Sequence, residues 1–203
     1  MNIFNLGWHC FRLVDGGVSL VFDPLSLEEA GGKAPRMQND IVLLSSGKES
    51  DYKTSAFTIS SPGEYEVKDV FVYGFETKVG AKSSTIYLVD MEDLKILHLG
   101  GAGSGFSFSA DLLERLSGID VLFIPVGGGD FWTPKKAIEI INELEPRIII
   151  PMGYQESGLN IKATPLADFI KEIGGNYEEV DKLKVVRKEL PEDSSKFVII
   201  KKS

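Results

Sequence analysis

The chain has 203 residues, 43% of them hydrophobic and 26% charged, with a formal net charge of −8 from 22 basic and 30 acidic side chains. That length and mix suit one domain with its own core, while the acidic balance argues against a general nucleic-acid or anionic-membrane role, which needs clustered Lys and Arg. One cysteine, Cys10, excludes an intrachain disulfide, and two histidines, His9 and His98, exclude a histidine-rich dinuclear metal site built by the chain alone.

The opening MNIFNLGWHCF has no basic n-region and no long apolar stretch, so it does not read as a signal peptide. No window approaches the 18 or so apolar residues of a membrane span. These features predict a cytoplasmic protein with no membrane or nucleic-acid partner.

The first hundred residues read mostly as strands. FRLVDGGVSLVFDP is a hairpin around Gly16-Gly17 that ends at Asp23-Pro24. Residues 25 to 39, with Gly31, Gly32 and Pro35, read as a polar loop. DIVLLS is a short apolar run, as expected of a strand buried on both faces. AFTIS, DVFVYGFET and STIYLVD follow as strands, and LKILHLG pairs back across the DMED turn.

After residue 100 helix and strand alternate. Ser109 caps ADLLERL, with Gly118 past its end. DVLFIPV is a buried strand. Thr133-Pro134 starts a helix with a stripe of Ala137, Ile138, Ile141 and Leu144. RIIIPM is another strand. Thr164-Pro165 repeats the start signal before Leu166, Phe169, Ile170 and Ile173, and Gly174-Gly175 stops that helix. KFVII is the last strand. Strands first, then strand–helix alternation, predicts sheets with helices on their outer faces. DIVLLSSG, DVLFIPVGGG and RIIIPMGY share one grammar: a charged residue, a strand, then small residues. As parallel neighbours, their loops would meet at one sheet edge, where ligand sites form in such folds.

In this order and spacing, LGWHCFRL, VFDP, DIVLLS, SPGEYEV, KILHLG, DVLFIPVGGG and EPRIIIPMGY resemble the metallo-β-lactamase-fold proteins, in the small group of zinc-dependent hydrolases. The resemblance spans nearly the whole chain. It implies a single domain over 1–203, an αββα sandwich, with a zinc site along one sheet edge. The implied ligand motif, His-x-His-x-Asp-His after IVLLS, falls on Ser46, Lys48, Ser50 and Asp51. The implied aspartate after HLG falls on Gly101, the C-terminal histidine on Gly153, and the early histidine on Trp8. The expectation is therefore a degenerate member: no metal or other cofactor, no catalytic residue, and a remnant pocket of Ser46, Lys48, Ser50, Asp51, Asp23, Glu64, His98, Gly101 and Gly153. Lys48 is expected to fill that pocket or to pair with Asp51.

On this reading the protein is a pseudo-hydrolase that binds an unknown small molecule or protein. Two alternatives stand beside it. One is a metal-dependent hydrolase with an oxygen-rich site of Asp51, Asp23 and Glu64, with Asp130 nearby, suited to Mg²⁺, Ca²⁺ or Mn²⁺. The other is a homo-oligomeric assembly protein that uses Phe131 and Trp132 in GGGDFWTP. His98 reads as a buried histidine bonded to backbone, and His9 as a loop residue. GGAGSG, residues 100 to 105, lacks the Lys-Ser/Thr ending of a phosphate loop and reads as flexible glycine beside the site.

Overall fold

The computed structural model describes residues 1–203 apart from Arg36, Lys48 and Asp193. The strands are β1 (Asn2–Gly7), β2 (Cys10–Asp15), β3 (Val18–Phe22), β4 (Ile41–Leu43), β5 (Phe57–Ile59), β6 (Gly63–Val67), β7 (Val70–Val79), β8 (Lys82–Met91), β9 (Leu94–His98), β10 (Val121–Pro125), β11 (Ile148–Met152), β12 (Glu178–Val180), β13 (Leu183–Lys184) and β14 (Lys196–Ile200). The helices are α1 (Pro24–Glu29), α2 (Ala110–Arg115), α3 (Pro134–Leu144) and α4 (Leu166–Ile173). One sheet runs β13-β1-β2-β3-β4-β5 and the other β12-β14-β11-β10-β9-β8-β7-β6.

Alternation builds the layers. Successive strand residues point to opposite faces. In β10, Val121 and Phe123 enter the core between the sheets, while Leu122 and Ile124 enter the core beneath the helices. In β4, Ile41 and Leu43 face inward, and Val42 packs outward with Leu25 and Leu27 of α1. Ala137, Ile140 and Ile141 of α3 and Phe169 of α4 cover the outer face of the second sheet. This is a mixed α/β fold of two facing sheets flanked by helices, the αββα arrangement the sequence predicts. No described helix is long and apolar enough to cross a membrane.

Most predicted elements form with their signals. Ser109 Oγ accepts from Leu112 N at 3.2 Å, and Thr133 Oγ1 from Lys136 N at 3.3 Å. Four details differ. Residues 25 to 39 are not all loop, because Pro24 at the first position starts α1. Thr164 does not cap α4: Pro165 holds that place and no side-chain cap bond forms. The buried stripe of α3 runs through Ile140, with Ile138 only partly covered. The three runs of shared grammar do not lie in one sheet: DIVLLS supplies β4 of the first, while β10 and β11 are parallel neighbours in the second. Their loops still converge, because the facing sheets present strand ends on the same side.

Candidate functional site

The loop that leaves β4 is fastened to the opposite sheet. Ser45 O accepts from Thr85 N at 2.9 Å and from Ser84 Oγ at 2.7 Å, and Leu44 O accepts from Tyr87 Oη at 2.9 Å. Asp23 stands at the end of β3 in a left-handed turn, φ 48°. Its Oδ1 accepts from Ser45 N at 2.6 Å. Its Oδ2 is buried and has no hydrogen-bond partner. Burial drives the Asp23 carboxyl up to about 7, against the opposing pull of the Ser45 hydrogen bond.

Beside Oδ2, at 3.7 Å, is His98 Nδ1. His98 lies flat on Phe22, with ring centroids 4.4 Å apart. Its Nε2 is 3.0 Å from His9 O, which can only accept, so Nε2 carries the proton. Nδ1 is then bare and accepts from Gly100 N at 3.3 Å. Burial holds His98 neutral, at about 3. The imidazole therefore offers Asp23 no counter-charge.

His9 belongs to the same cluster through the β1–β2 turn. Gly7, φ 113°, and Trp8, φ 56°, make that turn. His9 stacks on Trp8 at 4.7 Å and meets the edge of Phe131 at 4.6 Å. Its Nε2 is buried without a partner. Burial, then the neighbouring His98, lower it to about 3.

A cavity of about 570 Å³ opens over these groups, with Trp8, His9, Asp23, Ser46, Lys82, Asp130 and Phe131 in its walls. It lies where the two sheets expose their strand ends.

Of the predicted site residues, Asp23 and Ser46 line this cavity. His98 lies directly behind Asp23, bonded to backbone as expected. Ser50 and Asp51 sit in an exposed helical turn, Glu49–Asp51, where Ser50 Oγ donates to Asp51 Oδ1 at 3.3 Å. Glu64 does not join the carboxylates: it pairs with Arg115 of α2 at 3.2 Å on the exposed surface. Lys48, and with it the expected filling of the pocket, lies outside the described residues.

The two glycines at implied ligand positions are closed by the chain itself. A Cβ on Gly101 would collide with Thr85 O and lie 2.6 Å from Ser84 Oγ. A Cβ on Gly153 would collide with His9 Nε2. Real Cβ contacts do not approach so closely, so neither position accepts a ligand side chain without movement. Among the described residues no three His, Cys, Asp or Glu side chains come together as a metal site. The residues present do not fit the zinc centre that the fold family implies.

Sequence reasoning passed over His9 as a site residue. Its signal was faint: a histidine after a Gly-Trp turn, whose place opposite Gly153 exists only once β1–β2 and β11 meet. Phe131 lines the cavity, whereas Trp132 is buried against Phe108 at 6.1 Å. The loop of residues 100–105 serves close packing: a Cβ on Gly103 would collide with Asp130 O.

Residues 2–153 match the model of the β-lactamase superfamily domain. This chain belongs to the β-lactamase superfamily. It is 26% identical over 184 residues to a UPF0173 protein of Pyrococcus abyssi, covering 78% of this chain and 85% of that one. It is 35% identical over 96 residues to a UPF0173 metal-dependent hydrolase of Thermococcus onnurineus, covering 46% of this chain and 41% of that one. A solved structure from Thermotoga maritima, described as a candidate Zn-dependent hydrolase of the metallo-β-lactamase superfamily, superposes with a TM-score of 0.82 at 29% identity. It covers 98% of this chain and 97% of that one. These relatives overturn the expectation of a non-catalytic pseudo-hydrolase: the likeness is to proteins named as metal-dependent hydrolases, and it favours the hydrolase alternative.

Proposed function

We propose that this member of the superfamily is a hydrolase, that its reaction takes place in the cavity between the strand ends, and that Asp23 is its acid–base group. The observation that carries the reading is the state of Asp23. It is a buried carboxyl with one oxygen anchored and the other unpartnered, beside a neutral imidazole, in the wall of the cavity at this edge. A proton-transfer group works best with a pKa near the working pH, and burial brings this one to about 7.

The chemistry follows from the geometry. Ser45 N–H holds Oδ1 and sets the carboxyl plane. Oδ2 takes a proton from a water placed against the substrate carbonyl and returns it to the leaving group. His98, fixed by its bond to His9 O, places an unprotonated nitrogen 3.7 Å from Oδ2, an acceptor that favours the protonated acid over the carboxylate. No step is assigned to a metal, because the donors among the described residues do not fit one.

The test is turnover of chromogenic carboxyl esters, anilides, lactones and phosphodiesters, run with and without added Zn²⁺ or Mn²⁺. Wild-type protein is expected to cleave at least one class, and Asp23→Asn to lower that rate by about 10²–10⁴-fold. Equal rates in the two proteins, or no cleavage under any metal condition, would sink the reading.

A further inference from the structure

We propose that Glu156 is a positioning residue of the acid–base site: by holding the N–H of Trp8 it fixes the carbonyl of His9, and through that carbonyl the ring of His98 beside Asp23. The proposal rests on the hydrolase reading of the cavity and names the side chain that sets its geometry from outside.

Glu156 does not line the cavity. It lies in the loop that follows β11, with 11% of its side chain exposed, and reaches back to the β1–β2 turn. Its Oε1 accepts from Trp8 N at 2.7 Å, the short length of a bond to a charged acceptor. Its Oε2 is buried without a hydrogen bond, and Lys202 Nζ stands 3.8 Å away as counter-charge. Lys202 is itself set in place. Its backbone bridges Asn5 of β1, and its side chain passes over Gly7, where a Cβ would lie 2.9 Å from Lys202 Cε.

The turn needs that hold. Trp8 has φ 56°, a region that a non-glycine residue leaves unless its surroundings impose it. Three bonds do so. Gly7 N donates to Asn5 Oδ1 at 2.8 Å, Trp8 N donates to Glu156, and Trp8 O accepts from Gly153 N at 3.3 Å. The bond to Glu156 is the shortest of the three and the one made by a charged group. Without it, φ of Trp8 is free to relax to negative values, and that rotation swings the carbonyl of His9, the next along the chain.

That carbonyl decides where the His98 proton sits. His98 Nε2 lies 3.0 Å from His9 O, which can only accept, and Nδ1 accepts from Gly100 N at 3.3 Å. The two bonds agree on one tautomer, with Nε2 protonated and Nδ1 bare. Nδ1 is 3.7 Å from Asp23 Oδ2. If His9 O withdraws, the proton can move to Nδ1 and bond to Oδ2, the oxygen that must stay free to exchange a proton with water. Glu156 thus keeps Oδ2 available through a relay of backbone and ring, while touching neither substrate nor acid.

The chain's two histidines make the test direct. Ring nitrogens of ¹⁵N-histidine-labelled protein are read by NMR at neutral pH in wild type, Glu156→Ala and Glu156→Gln. Wild-type His98 is expected to show one protonated and one bare nitrogen, with Nε2 protonated. In Glu156→Ala the two signals should draw together or exchange places. Glu156→Gln keeps an oxygen for Trp8 N and should retain the wild-type pattern. On a chromogenic ester or anilide that the wild type cleaves, Glu156→Ala should lower kcat by about 10–100-fold with KM little changed, and Glu156→Gln should restore it. Glu156→Asp keeps the charge and withdraws the carboxylate from Trp8 N, so it should behave like Glu156→Ala and serves if that variant fails to fold. Unchanged His98 signals in Glu156→Ala or Glu156→Asp would overturn the proposal, even with a lower melting temperature, because a purely structural residue would give that result. Equal losses in Glu156→Gln, or a changed ring with an unchanged kcat, would overturn it too. The ring is read without turnover, so failure here is separable from failure of the hydrolase reading.

Discussion

Two buried aspartates mark the two ends of the sheets. Asp120, 1% exposed, stands immediately before β10 at the end opposite the cavity. It accepts from Lys95 N at 2.9 Å and pairs with Arg187 and Arg147. Asp23, 3% exposed, has a backbone N–H on one oxygen, no partner on the other, and a neutral histidine as neighbour. The same residue type is thus compensated at one end and left poised at the other. A buried carboxylate that only holds a fold together is expected to be paired. Leaving Asp23 unpaired sacrifices stability at the place where a proton-transfer group is wanted.

Breaking Asp23 gives the largest expected effect. Asp23→Asn keeps an oxygen for Ser45 N and removes the ionisable proton. Catalysis should fall about 10²–10⁴-fold while thermal stability at pH 8 rises, by ~2–4 kcal/mol if ionisation near 7 is as unfavourable as burial indicates. Loss of both activity and stability would instead assign Asp23 a purely structural place, like that of Asp120. Asp120→Ala should destabilise by about 2–4 kcal/mol in urea titrations. It strips a buried acceptor from Lys95 N–H, while the half-exposed arginines can turn to water.

Gly153→Ala tests the crowding around His9. The new methyl would strike Nε2, and the backbone sits at φ 66°. We expect a loss of about 1–3 kcal/mol and a shifted His9 resonance. An unchanged melting temperature would mean that His9 is not held where the structure puts it.

Stability against pH sharpens the comparison further. Asp23 is raised from 3.8 to about 7, so the folded chain binds its proton more tightly than the unfolded one. That contribution is complete below about pH 4 and is lost as pH rises to about 7. His9 and His98 are lowered from 6.5 to about 3, so their contribution is complete above pH 6.5 and is lost as pH falls toward 3. Between pH 4 and 6.5 the two histidines oppose Asp23, and the combined contribution of these three groups should rise by ~1.4 kcal/mol per pH unit. Asp23→Asn should make that slope about twice as steep, which denaturant midpoints measured across the range would show.

The smallest effect is reserved for Glu64. Its pair with Arg115 is exposed at 70% and 54%, so Glu64→Gln should change stability by less than about 1 kcal/mol and leave hydrolysis unaltered. A rate loss would return Glu64 to the site from which the fold separates it.

Much of the fold was legible because it rests on local rules. The Gly16-Gly17 hairpin, the DMED turn with Glu92 and Asp93 both left-handed, and the caps at Ser109 and Thr133 are short-range features with one favourable solution each. The apolar runs of β4, β10 and β11 announced two-sided burial, though not which sheet each would join. The site was legible only where a residue's role follows from its own strand end, as with Asp23 after VFDP and His98 in KILHLG. Glu64 looked equally suitable in sequence, and strand pairing carried it to the far side of β8.

The sequence by itself determined the strand and helix order, the αββα layering, and the replacement of the histidine motif by Ser46, Ser50 and Asp51 among the described residues. Only the tertiary structure decided that Thr85 O fills the space beside Gly101, that His9 fills the space beside Gly153, and that Asp23 is buried without a counter-charge. The physical reason is range. Alternation, capping and turn chemistry act over a few residues. Burial and close contact depend on segments as far apart as His9 and Gly153, or Asp23 and His98, and exist only after both sheets have closed on a common core.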